Sequence, residues 1–231
     1  MKLNKLIAIA TISLLSGGIS MAQKALNLED IVAGNIIQTK GIGSMTWLKD
    51  GERYSRLENN KQTGGTDIVA YRAKDNSREV IIPSSLLTDK STGRPIPVRS
   101  VSWSADNEKV LIYNNTRRVW RYDTRGDYWV LNLKDGALRQ LGKGMPESSM
   151  MFAKFSPDGT RVAYVSNNNI YVEDIDSGKI TQLTKDGSDT IVNGTFDWVY
   201  EEEFSCRDGF RWSPDGKHIA YWQSDTKAVS Y

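Results

Sequence analysis

The feature that most constrains this chain is a degenerate repeat of a tight-turn motif. Three copies read Trp103-Ser104-Ala105-Asp106, Phe155-Ser156-Pro157-Asp158-Gly159 and Trp212-Ser213-Pro214-Asp215-Gly216, and Trp47-Leu48-Lys49-Asp50-Gly51 is an earlier, weaker copy. Their leading aromatic residues stand about 52 to 57 positions apart, slightly more than the roughly 40–50 residues of one propeller blade. Each copy has the same local physics. Proline fixes φ at a turn position, aspartate can bond its own backbone, and glycine takes the positive φ from which the next strand begins. Alternating strands follow the turns at Lys109 to Tyr113, Arg161 to Val165 and His218 to Trp222. The next are expected at Asp127 to Leu133 and Asn169 to Asp174, then at Leu138 to Leu141 and Lys179 to Leu183.

Strand, tight turn, strand, loop, strand, turn and strand make one four-stranded blade. The pattern therefore predicts an all-β chain, a partial β-propeller of about 3.5 four-stranded blades at about 44–97, 98–147, 148–185 and 209–231. An insertion at 186–208 separates the last two blades. Propellers close on themselves, typically with about 4–8 blades, so that sheet edges are not left exposed. A count of about three and a half reads as part of a larger propeller. Before the first blade, Asn27-Leu28-Glu29-Asp30 with Ile31, Val32 and Gly34 reads as a short capped helix in a lead-in segment at 23–43.

The N-terminus has its own pattern. Lys2 and Lys5 precede an apolar run from Leu6 to Leu15, and Ser20-Met21-Ala22 supplies small residues for cleavage after Ala22. This reads as a secretory signal peptide at 1–22, and so as an exported protein, periplasmic or secreted. The apolar run is too short for the roughly 20 residues of a membrane-spanning helix. Without residues 1–22 the chain keeps 28 basic side chains against 28 acidic ones. Such a balance, with no basic tract, excludes an electrostatic case for nucleic acid. Cys206 is the single cysteine, so no intrachain disulfide forms, and one cysteine with one histidine cannot build a conventional His/Cys zinc site. No metal or cofactor is expected.

The insertion carries the chemistry. It contains Asn193-Gly194-Thr195-Phe196-Asp197-Trp198-Val199-Tyr200-Glu201-Glu202-Glu203-Phe204. Three consecutive carboxylates beside Trp198 and Tyr200 repel one another unless a cation or hydrogen-bond donors compensate. Asp197 can cap a short helical turn beginning at Trp198, holding the carboxylates in a fixed direction. On spacing alone, a solvated helix face and a site for a cationic ligand both remain open.

The segment Asp197-Trp198-Val199-Tyr200-Glu201-Glu202-Glu203 resembles the double-glutamate segment of the dipeptidyl peptidase IV family. Around it, Asn168-Asn169-Ile170-Tyr171-Val172 and the following Trp-Ser-Pro turn resemble that family in order and spacing. The resemblance runs from about Leu26 to Tyr231 and is strongest from Phe152 onward. It implies that Glu202 and Glu203 bind the free α-amino group of a peptide substrate, with Glu201 structural. It also implies that Arg121, in Trp120-Arg121, reaches the substrate backbone and the glutamates. The residues after Arg121 depart from the family's pattern, and Arg118 is the rival if the register shifts.

The family's chemistry is acyl transfer by a Ser-His-Asp triad on an α/β-hydrolase domain, its serine in Gly-x-Ser-x-Gly. That motif does not occur in this sequence, and His218 reads as a strand residue rather than a catalytic base. The resemblance thus implies no catalytic residue in this chain. It implies a downstream hydrolase domain in the same parent, a homodimeric parent, and release of X-Pro or X-Ala dipeptides from peptides with a free N-terminus. Dipeptidyl and tripeptidyl release both remain open. Two other readings stand beside it: a periplasmic TolB-like propeller acting as a protein-binding module, and a non-functional truncation.

Overall fold

A computed structural model describes residues 27–32, 41 and 43–229. The expected signal peptide and most of the lead-in segment, Gly34 included, lie outside the described residues. The chain divides into a unit up to residue 42 and a unit from Gly43 on. In the first, Leu28–Val32 forms the short helix α1, whose Ile31 N–H donates to Asn27 O at 3.3 Å.

The second unit is part of a β-propeller. Its first four-stranded sheet is an antiparallel meander of β1 (Thr46–Trp47), β2 (Arg53–Asn59), β3 (Thr66–Arg72) and β4 (Arg78–Ile82). A 3-10 turn at Ser84–Leu87 and a ribbon of β5 (Thr88–Asp89) with β6 (Arg94–Pro95) lead to the second sheet. That sheet is β7 (Ser100–Trp103), β8 (Lys109–Val119), β9 (Tyr122–Asn132) and β10 (Leu138–Gln140). The third is β11 (Met151–Phe155), β12 (Arg161–Ser166), β13 (Asn169–Asp174) and β14 (Ile180–Gln182). Two short pairs follow: β15 (Ile191–Asn193) with β18 (Gln223–Asp225), and β16 (Phe210–Trp212) with β17 (Ile219–Tyr221).

The repeat motif closes each turn in the same way. Ser104 Oγ accepts the Lys109 N–H at 2.9 Å and donates to Asp106 Oδ1 at 2.5 Å, while that carboxylate accepts the Glu108 N–H at 2.9 Å. Ser156 with Asp158 and Ser213 with Asp215 repeat the arrangement. The weak first copy has Leu48 in place of the serine, and there Asp50 alone accepts the N–H groups of Glu52 and Arg53. Gly51, Gly159 and Gly216 take φ of 69, 67 and 68, and Asn107 fills the same place in the second copy at φ 59. Asparagine is one of the few side chains that tolerates that region.

Strand alternation sends successive side chains into different cores. Val110 and Ile112 pack with Ile68, Ile82, Leu87 and Leu131 between the first and second sheets. Leu111, between them in sequence, faces Val162 and Tyr164 of the third sheet. Ala163 and Val165 turn the other way, onto Phe210. The motif's aromatic residue adds a polar tie, because a buried indole N–H needs an acceptor. Trp103 Nε1 donates to Ser55 Oγ of the first sheet at 3.2 Å, and Trp212 Nε1 to Lys154 O of the third at 3.3 Å.

Two expectations need correction. The hairpin of β8 and β9 runs on through Asn114–Arg125, well past the expected strand ends, pairing Val119 with Tyr122. Its outer half is polar and crosses irregularities at Asn114/Arg117 and Arg117/Val119, so no apolar alternation marks it. The expected strand at His218–Trp222 shortens to Ile219–Tyr221, because the His218 N–H is taken by Ser213 Oγ at 2.9 Å in closing the turn. His218 is exposed at the end of that turn. The insertion also contributes a strand: β-branched Ile191 and Val192 form β15, which pairs beyond the fourth motif with β18.

Candidate functional site

Asp197 starts a seven-residue helix, α2 (Trp198–Phe204), by accepting the Tyr200 N–H at 3.2 Å. Ser205 ends it at φ 50, and the Cys206 N–H returns to Tyr200 O at 3.1 Å. A helical turn of 3.6 residues gives three consecutive side chains three directions. Glu201 is buried, Glu202 partly buried and Glu203 exposed. On the helix's other flank Tyr200 stacks on Phe196 at 4.8 Å, with Phe204 beyond it at 5.6 Å. These rings, with Phe210, Tyr221 and Trp222, line a cleft of about 670 Å³.

The second sheet supplies one of the cations that reach this helix. Arg121 sits at the tip of the β8–β9 hairpin, next to Trp120, whose φ of 54 is costly for a bulky side chain. The Arg121 N–H donates to Glu201 Oε1 at 3.3 Å, and its guanidinium pairs with Glu202 Oε1 at 2.5 Å. The rival Arg118 is exposed and bonds back to Trp120 O at 3.2 Å. The structure therefore brings together Arg121 and Glu202 of the predicted residues. Glu203 stands next to them on the helix, its side chain without an ion-pair or hydrogen-bond partner among the described residues.

A second arginine, which the sequence analysis missed, completes the cluster. Arg207 Nε faces Glu201 Oε2 at 3.3 Å as an ion pair not aligned for a hydrogen bond. Its guanidinium lies 3.9 Å from the Trp120 ring centroid and donates to Phe196 O. Burial pulls the Arg207 guanidinium down to about 10, against the opposing pull of Glu201. The signal was available in the sequence: three adjacent carboxylates call for more than one cation.

Glu202 is left in an unusual state. One oxygen holds Arg121, while Oε2 is buried and has no hydrogen-bond partner among the described residues. A buried carboxylate oxygen without a donor is costly, of order 1–3 kcal/mol or more. Together, Glu202 and Glu203 offer acceptors to a cationic hydrogen-bond donor. Among the described residues no cluster of three or more His, Cys, Asp or Glu side chains is grouped to hold a metal ion.

Comparison with known proteins gives the same lineage by every route. Residues 104–231 match the family described as dipeptidyl peptidase IV (DPP IV) N-terminal region. A protein of Aspergillus oryzae named "Probable dipeptidyl-aminopeptidase B" is 30% identical over 182 residues, covering 78% of this chain and 19% of that protein. One of the same name from Podospora anserina is 38% identical over 127 residues, covering 54% of this chain and 14% of that protein. Among solved structures, dipeptidyl peptidase 4 of Porphyromonas gingivalis superposes with a TM-score of 0.73 at 26% identity, covering 90% of this chain and 29% of that one. The chain thus spans less than a third of each of these proteins.

Proposed function

Since this chain belongs to the dipeptidyl peptidase IV N-terminal region family, we propose that it is the substrate-gating, amine-anchoring propeller portion of an exported serine dipeptidyl peptidase. The parent releases X-Pro or X-Ala dipeptides from peptides with a free N-terminus, and the anchor is Glu202 with Glu203, assisted by Arg121. The nucleophile belongs to a downstream α/β-hydrolase domain of the same parent, so this chain alone is inactive.

The observation that carries the reading is the carboxylate of Glu202. One oxygen is fixed by Arg121 at 2.5 Å, and the other is buried and unmet beside the unpaired Glu203. A peptide α-amine, with an ordinary pKa of about 7.7–8.0, is mostly protonated at neutral pH and brings three N–H donors. Each charge-assisted bond to carboxylate is worth about 1.5–3 kcal/mol. An amine held there measures a fixed distance along an extended peptide, so the bond after the second residue is the one presented to the nucleophile. The exposed Arg121 guanidinium keeps donors free for the substrate's backbone carbonyl while it orients Glu202.

The test is hydrolysis of a glycyl-prolyl chromogenic amide by the gene's full-length product, beside this 231-residue chain and full-length Glu202→Ala and Glu203→Ala variants. The expected result is activity in the full-length product and none in the 231-residue chain, with kcat/KM at least about tenfold lower in each full-length variant, or about 1.4 kcal/mol. Unchanged kinetics in both variants refute the anchor. No activity in any folded sample returns the protein-binding propeller.

A further inference from the structure

The cluster holds two arginines and three glutamates, and their pairing is ordered. Arg207 takes Glu201, Arg121 takes Glu202, and Glu203 is left over. Glu201 is the hub of this arrangement. Its Oε2 faces Arg207, and its Oε1 accepts the backbone N–H of Arg121, so the guanidinium of Arg121 extends from the very residue that Glu201 holds. Glu201 is the more deeply buried of the two carboxylates, and the charge that faces it comes from Arg207 while the Arg121 guanidinium goes to Glu202.

We propose that Arg207 is a positioning residue for the amine anchor: by satisfying Glu201 and packing against Trp120, it commits Arg121 to Glu202 and fixes the hairpin tip against α2. The proposal rests on the anchor role of Glu202 and Glu203. Three features support it. The Arg207 side chain is nearly buried and is held on two further sides, by the Trp120 ring at 3.9 Å and by Phe196 O. A guanidinium placed over an indole offers a planar, delocalised charge that a lysine ammonium does not. Trp120 occupies its left-handed backbone conformation at the same tip, and the stacked guanidinium covers the ring it presents. Arg125 and Asp197 also act on the Arg207 charge, with opposite signs. With Arg207 present, the five side chains carry one unbalanced negative charge, the complement of a single ammonium group.

The experiment measures kcat/KM on the glycyl-prolyl amide for the full-length gene product carrying Arg207→Met, and for the double variant Glu201→Gln with Arg207→Met. The single change leaves a buried carboxylate that draws Arg121 from Glu202, and kcat/KM falls at least about tenfold. In the double variant, glutamine still accepts the Arg121 N–H but has no charge to attract its guanidinium, so kcat/KM returns to within about threefold of wild type. A residue serving packing alone gives the opposite order, because the double variant loses the same contacts plus one charge. The proposal is overturned if the single variant keeps wild-type kcat/KM, or if the double variant is no better than the single. Should Arg207→Met fail to fold, the double variant decides alone, and a loss there of tenfold or more overturns the proposal. Glu202→Ala and Glu203→Ala measured in parallel separate the two levels: no effect in either variant brings down the anchor and this proposal together. A tenfold loss there with an unaffected Arg207→Met brings down this proposal only.

Discussion

Glu173 is the most deeply buried acid in the molecule's inter-sheet contacts, and its replacement has a consequence that can be worked out bond by bond. Its side chain, at 0% exposure, leaves β13 of the third sheet and accepts three donors. Arg139 Nη1 of the second sheet lies at 2.7 Å, the Gly142 N–H at 2.8 Å and the Tyr164 hydroxyl at 3.3 Å. In Glu173→Ala the Gly142 N–H and the Tyr164 O–H lose their acceptor, at about 1–3 kcal/mol each. Arg139 is about one-third exposed and keeps Asp174 O at 3.3 Å, so its loss is smaller. The total is about 3–5 kcal/mol, the range for breaking a buried ion pair from one side. Glu173→Gln keeps an acceptor for Gly142 but turns its NH2, a donor, toward Arg139 Nη1, so the charged bond there is lost at about 1.5–3 kcal/mol, still less than the alanine costs. Urea unfolding followed by tryptophan fluorescence measures both, the midpoint falling while the slope stays unchanged. A loss below about 1 kcal/mol for Glu173→Ala would refute the bond-by-bond reasoning, and so would equal losses for the two variants.

Two further outcomes follow from single residues. Burial pulls the Lys154 ammonium down to about 8 from 10.5, although Asp208 at 2.5 Å and the Phe210 ring at 3.6 Å favour its charge. Between those values the unfolded chain binds more protons than the folded one, so this group's contribution to stability rises with pH, by at most about 3 kcal/mol. Thermal melts of wild type and Lys154→Met from about pH 7.5 to 10.5 should diverge in favour of wild type, and a constant difference would refute the burial account. Gly126 exchanges both backbone bonds with Met150 of the third sheet, at 3.0 and 3.1 Å, and a Cβ there would meet the Tyr113 ring at 2.4 Å and Asn114 O at 2.6 Å. Gly126→Ala should therefore cost about 1–3 kcal/mol in the same urea assay, with loss of the paired amide's exchange protection at Met150.

The turn motif made the fold legible because it carries its own closure. Pro, Asp and Gly point to the turn in the sequence, and the structure adds the serine hydroxyl that joins the two strand ends in three of the four copies. The cores were legible where apolar residues alternate, as at Val110-Leu111-Ile112. The outer half of the β8–β9 hairpin was not, since its strands carry Asn, Thr, Arg and Asp and are held by ladder bonds that leave no periodic apolar trace. Part of the site was legible for a different reason. The Asp197 cap and the carboxylate triplet are local, so the helix and the direction of Glu201, Glu202 and Glu203 follow from neighbours in sequence. Arg121 stands 80 residues from Glu201, and only the family resemblance tied the two together. The carboxylate triplet called for a second cation, but no local pattern singled out Arg207, whose ring partner Trp120 belongs to the β8–β9 hairpin.

That long separation explains why a propeller suits the proposed anchor. The acid and the base come from different blades: the second sheet extends a hairpin, and the connection after the third sheet forms the helix. Their relative position is set by the packing between sheets, including Glu173 with Arg139 and Gly126 with Met150, and not by a shared loop. A site spread over rigid elements in this way keeps its geometry when either surface segment varies in sequence, provided the sheet-to-sheet contacts hold. The same design makes the proposed anchor sensitive to distant core changes: a shift of about 1 Å between the second and third sheets would separate Arg121 from Glu202 by a comparable amount, enough to weaken a 2.5 Å ion pair. Inter-sheet variants such as Glu173→Gln should therefore lower kcat/KM on free-amine substrates in the full-length gene product even where the protein remains folded.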